Sequence, residues 1–380
     1  MTARREPRVL VVSAATHGHR SFAAALAAAL RRREAQFDHV QVERAGWNRA
    51  IGYAIQGTHG ADLQAIRRQV ALDIQLRPLA RKAMHEYDVV HVVPAGFAHA
   101  FARFAPNARA ALSVGMDCTA ELMRDELGSN RVQEALRHRV DRLTFERAAH
   151  VACYSGWARD SLLAHYRCDP ALADVVAPSA PVPRRRPTPG DHAVPRIGFV
   201  GAPWTRKGGD RLLDWFQSGR LGRAELHLLC RDAPASATGV PGVVRHEPMP
   251  RHQVLEELLP SCDLFALPTR RDQSPWVLAE AAAAGLPIVA SRIAAVHELV
   301  VDDVSGFLPE PDDDDAFCRN IARLVADAEL RSAMGRAAHT HAAAHLDEER
   351  NFDGLADRLF SLSDRRAECD RQDLKRPSSR

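Results

Sequence analysis

The residues from Leu264 to Ser291 (LFALPTRRDQSPWVLAEAAAAGLPIVAS) restrict the possible folds of this chain more than any other stretch. The first four residues form an apolar run that predicts a buried strand, and the next six are polar and predict a loop. Ser274 followed by Pro275 predicts a helix start with the serine as cap, and Gly285 predicts the helix end. The last residues return to a strand pattern. A strand, a helix and a second strand in this order are typical of a parallel α/β sheet.

Two carboxylates flank the predicted start of this helix. Asp272 lies in the loop before it, and Glu280 lies eight residues further along the chain. In parallel sheets, ligands bind beyond the carboxyl ends of the strands, where helix N-termini attract anions. An acid pair around such an anion site suits a ligand with hydroxyls on both sides of a phosphate group. A nucleotide-sugar is such a ligand.

The length and composition predict a globular protein with two domains. The chain has 380 residues, 26% of them charged, and no apolar run approaches the roughly 18 residues of a membrane span. The basic N-terminus runs into a short apolar segment, which predicts a first strand and not a signal peptide. The seven cysteines are scattered without a CxxC motif, which indicates free thiols in a reducing cytosol.

A proline-rich stretch separates two series of alternating strand and helix patterns. Residues 178–195 (PSAPVPRRRPTPGDHAVP) lack apolar periodicity, so a domain boundary is expected there. The alternation on both sides favours an α/β fold of two Rossmann-like domains. The predicted divisions are a first domain over 1–185, a linker over 186–195, a second domain over 196–347, a helix over 348–365 that crosses back to the first domain, and a disordered tail over 366–380.

The second informative loop lies at the start of the second domain. Residues 199–209 (FVGAPWTRKGG) follow a predicted strand and lead into a helix, so their backbone amides favour an anion. Arg206 and Lys207 add two positive charges, and lysine is rare here, with three among 51 basic residues. Gly201 and the two cations therefore predict a diphosphate site, which we favour over an ordinary surface turn.

The first domain offers a candidate site for a second substrate. Gly18 lies between His17 and His19, after the first predicted strand and at the entrance of an alanine-rich helix. A ligand can lie against backbone in such a turn, although both histidines can equally be exposed loop residues. No GxGxxG motif follows this strand, which argues against a dehydrogenase. Asp117 follows another strand of the same domain at its carboxyl end.

Charge is unevenly distributed along the chain. Residues 1–185 carry 26 basic and 18 acidic residues, net +8, whereas residues 186–380 carry 25 and 30, net −5. The basic first half indicates an anionic acceptor, an acidic membrane surface or simply an arginine-rich surface. Four consecutive aspartates, 312–315, precede a predicted helix. They invite a metal interpretation, but capping and helix-dipole chemistry explain them better.

Both loops, in this order within a second Rossmann-like domain, resemble those of the retaining glycosyltransferases of family 4, which have the GT-B fold. The resemblance extends over nearly the whole chain and is strongest in FVGAPWTRKGG and in Asp272–Ser291. It implies that the Glu-x7-Glu element of the family corresponds to Asp272 and Glu280. Glu280 then binds the ribose hydroxyls of the donor, and Asp272 a hydroxyl of the transferred sugar.

The chain departs from the family pattern at several positions. The family's arginine after the glycine is Ala202 here, and Arg206 can replace its charge beside the retained Lys207. The first acid of the pair is shortened to aspartate, and the aromatic residue and glycine before the helix are Ser274 and Pro275. The histidine that precedes the first-domain aspartate is Met116.

The resemblance implies a metal-independent hexosyltransferase of carbohydrate biosynthesis, without a cofactor, whose two domains face each other across a cleft. The expected catalytic residues are Arg206, Lys207, Asp272 and Asp117; the expected donor-binding residues are Gly201, Arg206, Lys207, Glu280 and Ser274; the expected acceptor-binding residues are His17, Gly18 and His19.

The expected partners are a nucleotide-diphosphate-sugar and a glycan, lipid-linked or small-molecule acceptor, with no nucleic acid. We expect a cytoplasmic location, with peripheral contact to the acidic inner face of the membrane as an option. Two alternatives stay open. One is a sugar-nucleotide epimerase of the same fold, and the other is a degenerate protein that binds nucleotide-sugars without transferring sugar.

Overall fold

The computed structural model describes residues 7–15, 17–43, 64–124, 131–186 and 192–373. The chain forms two compact units, each built on a parallel sheet covered by helices. The first unit contains the chain up to Val176 and again from Glu349, and the second contains Ala177–Glu348. The predicted α/β fold with two Rossmann-like domains is confirmed.

The first unit has a six-stranded sheet in the order β2-β1-β3-β4-β5-β6, with all neighbours parallel. Its central strands are buried on both faces, which explains valine-rich runs such as VVHVV. The strand order reverses between β1 and β3. The strands are β1 (Arg8–Ala14), β2 (Gln36–Val42), β3 (Val89–Val93), β4 (Ala111–Met116), β5 (His150–Cys153) and β6 (Ala173–Val175).

Helices cover both faces of the first sheet. In α1, the fully buried side chains of Phe22, Leu26 and Leu30 recur every four residues and form one apolar face. The ring of Phe352, in the last helix, packs edge-on against Phe22 at 4.9 Å between centroids. The helices are α1 (His17–Arg32), α2 (Gln64–Glu86), α3 (Ala95–Ala102), α4 (Arg131–Glu146) and α5 (Gly156–Tyr166).

The second unit has its own six-stranded parallel sheet, in the order β12-β11-β10-β7-β8-β9. This is the strand order 3-2-1-4-5-6 of the doubly wound nucleotide-binding folds, and it reverses between β7 and β10. The strands are β7 (Arg196–Val200), β8 (Glu225–Leu229), β9 (Val243–Arg245), β10 (Leu264–Leu267), β11 (Ile288–Ala290) and β12 (Gly306–Phe307).

The helices of the second unit follow the alternation expected from the sequence. Gly285 has φ +75°, and this left-handed residue ends the helix before it, as predicted. The helices are α6 (Trp204–Lys207), α7 (Gly209–Gln217), α8 (Arg251–Gln253), α9 (Trp276–Ala283), α10 (Val296–Leu299), α11 (Asp314–Ala326) and α12 (Ala328–His345); α13 (Glu348–Asp373) begins at the end of this unit and continues in the first.

The division between the units differs from the predicted linker of 186–195. The chain enters the second unit at Ala177, because the following residues bond to that unit. The backbone N–H of Ala180 donates to Leu346, and the Arg186 guanidinium donates to the carbonyl oxygen of Gly285. A proline-rich composition marked this segment as irregular, but it did not reveal these contacts.

The predicted disordered tail of 366–380 is wrong over its first half. Helix α13 continues to Asp373, and residues 374–380 lie outside the described part of the chain. Residues 45–62 also lie outside it. The side chains of six of the seven cysteines are described, and all six are free thiols. Within the described ranges, no helix is both long and apolar enough to span a membrane.

Candidate functional site

The candidate donor site lies where the strand order of the second sheet reverses. Strands β7 and β10 are neighbours there, although β8 and β9 come between them in sequence. In open α/β sheets the ligand crevice lies outside the carboxyl ends of the strands at such a switch point. The loops 201–209 and 268–275 follow these two strands. The structure therefore brings together the two stretches that the sequence singled out.

Backbone contacts join the two loops. The Arg270 N–H donates to the carbonyl oxygen of Arg206 at 2.8 Å, and the Thr269 hydroxyl donates to the same oxygen at 3.1 Å. Gly208 has φ +78°, and a Cβ atom there would lie 1.9 Å from the carbonyl oxygen of Pro268. Only glycine permits both this backbone conformation and this close approach.

A buried ion pair links the predicted diphosphate loop to the predicted sugar-binding acid. The Lys207 ammonium donates to Oδ2 of Asp272, and the two residues are 9% and 8% exposed. Gly201 makes room for the lysine stem, since a Cβ atom at this position would lie 3.0 Å from Lys207 Cγ. Because both loops contribute one partner, the pair fixes their relative position.

Arg206 adds a second cation at the same carboxylate. Its Nη1 lies 3.7 Å from Asp272 Oδ2 and donates to the carbonyl oxygen of Arg271 at 2.8 Å, while its Nη2 donates to the carbonyl oxygen of Ala202 at 3.2 Å. The Arg206 side chain is 39% exposed, so it can reach a ligand. Two cations around one carboxylate leave a local charge of +1, which favours an anion.

The predicted serine cap of α9 is wrong. Pro275 is the N-cap residue, with an extended ψ of 111°, and the helix begins at Trp276 without a side-chain cap. Because Pro275 takes this place, the Ser274 hydroxyl is displaced from the free amides. Its oxygen is buried and has no hydrogen-bond partner, and the residue is 8% exposed. A buried hydroxyl without a partner, two residues before the start of a helix without a side-chain cap, is an arrangement that a phosphate oxygen can complete.

The second acid of the pair lies on the same helix and has a partner that the sequence did not reveal. Glu280 is 7% exposed, and its Oε1 accepts a hydrogen bond of 2.7 Å from Nε of Arg251. Arg251 lies in α8, outside both predicted loops. No sequence signal distinguishes it, because 48 of the 51 basic residues are arginine, so only the tertiary structure identifies it.

One of the four aspartates caps the helix, as the capping interpretation predicted. The Asp313 carboxylate accepts from the Ala316 N–H at 2.8 Å and caps α11, while Asp314 binds Arg211 and Asp315 binds Arg220. In the described part of the chain, no group of three or more His, Cys, Asp or Glu side chains is arranged to hold a metal ion.

The first unit places its predicted residues near the reversal point of its own sheet. His17, Gly18 and His19 follow β1, but they form the first turn of α1 and not the loop that the sequence predicted, because the helical conformation continues through the glycine. The side chain of His17 is outside the described residues. Burial lowers the pKa of His19, and the nearby Asp117 carboxylate opposes this effect. His19 Nδ1 has no hydrogen-bond partner.

Tyr154, at the end of β5, is a neighbour of His19 that sequence reasoning missed. The centroids of the two rings lie 6.4 Å apart. The tyrosine hydroxyl is buried without a hydrogen-bond partner, and burial together with Asp117 raises its pKa. Unpaired polar atoms on both rings, next to a carboxylate, give this part of the first unit the means to bind hydroxyl groups.

Solved structures with this architecture cover nearly the whole chain. Sucrose-phosphate synthase from Thermosynechococcus elongatus superimposes with a TM-score of 0.74 at 15% identity, covering 94% of this chain and 99% of that one. Alr3699/HepE from Anabaena, whose structure contains UDP-glucose, gives a TM-score of 0.68 at 15% identity and covers 94% and 100%. These similarities define the GT-B fold of glycosyltransferases.

Sequence comparison identifies a family and several proteins that parts of this chain resemble. Residues 194–327 match the model of the glycosyl transferases group 1, and the chain is 30% identical over 218 residues to a D-inositol 3-phosphate glycosyltransferase of Segniliparus rotundus. Residues 194–327 therefore match the family that the sequence predicted, within the second unit. The match to the Segniliparus protein covers 51% of this chain and 48% of that protein, so the chain spans about half the length of this curated relative. A similar protein of Salinispora tropica is 35% identical over 108 residues, 28% of this chain and 22% of that protein.

Proposed function

We propose that this protein transfers a hexose from a nucleotide-diphosphate-sugar to a hydroxyl-bearing acceptor, with retention of the anomeric configuration. The observation that carries the proposal is the cluster formed by Arg206, Lys207 and Asp272, next to the unpaired Ser274 hydroxyl. It combines a net positive charge with uncapped amides and lies at the switch point of a nucleotide-binding sheet. A diphosphate matches each of these features.

The same residues stabilise the leaving group. When the bond between the anomeric carbon and the diphosphate oxygen breaks, negative charge accumulates on the diphosphate. Lys207 and Arg206 lie at the proposed phosphate position and are fixed before the reaction by Asp272 and by backbone carbonyls. Preorganised cations of this kind lower the barrier for charge that develops in the transition state. Because two cations supply this charge, we propose that the reaction requires no metal ion or other cofactor.

The donor extends from this cluster in two directions. Glu280 accepts hydrogen bonds from the pentose hydroxyls, and Asp272 accepts one from the transferred sugar. We propose UDP-glucose as the first donor to test, because the structurally similar Anabaena protein is described with UDP-glucose and with UDP and glucose. For the acceptor, we propose a binding site in the first unit near Gly18, His19 and Asp117.

The acceptor panel follows from the chemistry and from the relatives. The net charge of +8 in the first 185 residues favours an anionic acceptor, and the curated relatives are named for a phosphorylated polyol. A suitable panel contains inositol phosphate, fructose phosphate, a glycan and a lipid-linked sugar. Anionic vesicles belong in the same panel, because they test the proposed peripheral contact with the acidic inner face of the membrane.

The test measures nucleotide release and product together. The protein is incubated with UDP-, GDP- or ADP-glucose and each acceptor, with and without EDTA, and the anomeric configuration of the product is read by NMR. We expect one donor to give an α-glycoside that EDTA does not suppress. Glu280→Gln should weaken donor binding, whereas Glu256→Gln, a matched change at an exposed position of the same unit, should not.

Three outcomes would contradict the proposal in different ways. An epimer that forms without an acceptor would indicate an epimerase. Donor binding in a thermal-shift assay without transfer to any acceptor would indicate a binding protein. Failure of all three nucleotide-sugars to bind would show that the proposed donor site is wrong.

A further inference from the structure

One guanidinium in the second unit connects the proposed ribose carboxylate to two other chain segments. Arg251 donates from Nε to Glu280 Oε1 at 2.7 Å and from Nη2 to the Ser179 carbonyl oxygen at 3.0 Å. Its Nη1 lies 2.7 Å from Glu348 Oε2, and its guanidinium carbon lies 5.9 Å from the centre of the Trp276 ring. These contacts fix the guanidinium plane from several sides, which a lysine ammonium could not reproduce.

Two neighbouring carboxylates keep the Arg251 guanidinium positively charged. Burial alone would lower the pKa of Arg251, but the carboxylates of Glu280 and Glu348 outweigh burial and raise it. One cation therefore lies between two carboxylates, and this set of three has a net charge of −1. A net negative charge favours hydrogen-bond donors over another anion. The set thus suits the hydroxyl end of a nucleotide, whereas the cluster around Lys207 suits its phosphate end.

The two oxygens of Glu280 differ in their surroundings. Oε1 is occupied by Arg251, while Oε2 accepts no hydrogen bond from any residue in the described part of the chain. A carboxylate without Arg251 could rotate about its last torsion, since this sp³–sp² bond is only loosely restricted. With one oxygen fixed by a planar partner, the direction of the free oxygen is fixed as well.

We propose that Arg251 is a positioning residue that directs Oε2 of Glu280 toward a pentose hydroxyl and thereby makes the donor site selective for ribonucleotides. The inference rests on the proposed function, because it takes Glu280 as the ribose carboxylate. Arg251 acts through Glu280 and does not itself contact the nucleotide. Its removal should therefore reduce discrimination between ribose and deoxyribose more than it reduces binding of the diphosphate.

The test compares nucleotide affinities by calorimetry. UDP, 2′-deoxy-UDP and 3′-deoxy-UDP are titrated into wild type, Arg251→Met, Glu280→Gln and Arg220→Met, with ADP and GDP as further arms. Arg220→Met is the matched control, because it breaks a more exposed ion pair with Asp315 in the same unit. We expect wild type and the control to prefer UDP over at least one deoxy analogue by about tenfold, the value of one charged hydrogen bond. In Arg251→Met and Glu280→Gln this preference should fall below about twofold.

The outcomes separate this inference from the proposed function. If no nucleoside diphosphate binds wild type, the proposed function fails and the role of Arg251 fails with it. If wild type and Glu280→Gln behave as expected but Arg251→Met keeps the tenfold preference, the inference alone is wrong, and Arg251 only holds Ser179 and Glu348 together. If circular dichroism shows that Arg251→Met does not fold, Arg251→Lys replaces it, since it keeps the charge. An unchanged preference in Arg251→Lys would then overturn the inference.

Discussion

Replacing Lys207 by methionine removes one charge of a buried ion pair and keeps most of the side-chain volume. Asp272 then stays buried without its lysine, and removal of one partner of such a pair costs about 3–5 kcal/mol. Arg206 Nη1, 3.7 Å from the same carboxylate oxygen, retains part of the attraction. We therefore expect the lower end of the range, about 3 kcal/mol in the free energy of unfolding. For a unit of this size that corresponds to a fall in Tm of about 6–12 °C.

A second substitution should restore this stability without restoring activity. In Lys207→Met/Asp272→Leu no charge of the pair is left, and apolar replacement of a buried ion pair is often neutral or stabilising. We expect its free energy of unfolding to lie within about 1 kcal/mol of wild type. The cation that would stabilise the leaving diphosphate is still absent, so both variants should lose about 10²–10³ in kcat.

The assay combines calorimetric Tm with kcat from nucleotide release. Two results would refute the reasoning. A stable double variant with near wild-type kcat would show that Lys207 does not act on the donor. A double variant as unstable as Lys207→Met would show that the lysine contributes by packing, because restoring charge balance would then have had no effect.

Three further predictions concern other parts of the structure. Gly208→Ala should destabilise the second unit by about 3 kcal/mol or more, because its Cβ would overlap the Pro268 carbonyl. Gly219→Ala, also at positive φ but with open space around it, should cost only about 1 kcal/mol. Chemical denaturation measures both values. Ser274→Ala should leave Tm unchanged or slightly raised, since the hydroxyl has no partner, but it should weaken nucleotide binding in calorimetry about fivefold to tenfold. Burial, with a contribution from His150, lowers the pKa of His91 from 6.5 to about 3. Because only the unfolded chain takes up this proton between those values, stability should fall by about 1.4 kcal/mol per pH unit as pH drops from 6.5 toward 3, and denaturation curves of His91→Gln should lack this contribution.

The architecture could be predicted because it is encoded locally. Strand and helix periodicities alternate along the chain, and the central parallel strands are largely apolar runs such as VVHVV and LFAL, so the two α/β units follow from the sequence. The position of both loops at the carboxyl ends of β7 and β10 follows as well. Their adjacency depends on the strand order, which no local pattern states. The family resemblance supplied that information.

The pairing of charges could not be predicted. The sequence offers 48 arginines, and nothing in it separates Arg251 from the others. Likewise, Ser274 has the composition of a cap, but the conformation of Pro275 decides which residue takes that place. The domain boundary was misplaced for a related reason, because residues 177–186 have loop composition and nevertheless bond to the second unit. In each case a tertiary contact determines what a local rule leaves open.

The charges of the second unit are arranged as two sets with opposite excess. Around Asp272, two cations meet one carboxylate, and around Arg251, two carboxylates meet one cation. Each set is partly neutralised from within, which limits the cost of burying charge before a ligand arrives. Each also keeps one charge in excess, positive for phosphate oxygens and negative for hydroxyl hydrogens. In the proposed donor site, a nucleotide that entered in the opposite direction would place its diphosphate against the carboxylates, so we expect the two excess charges to set the orientation of the donor as well as its affinity.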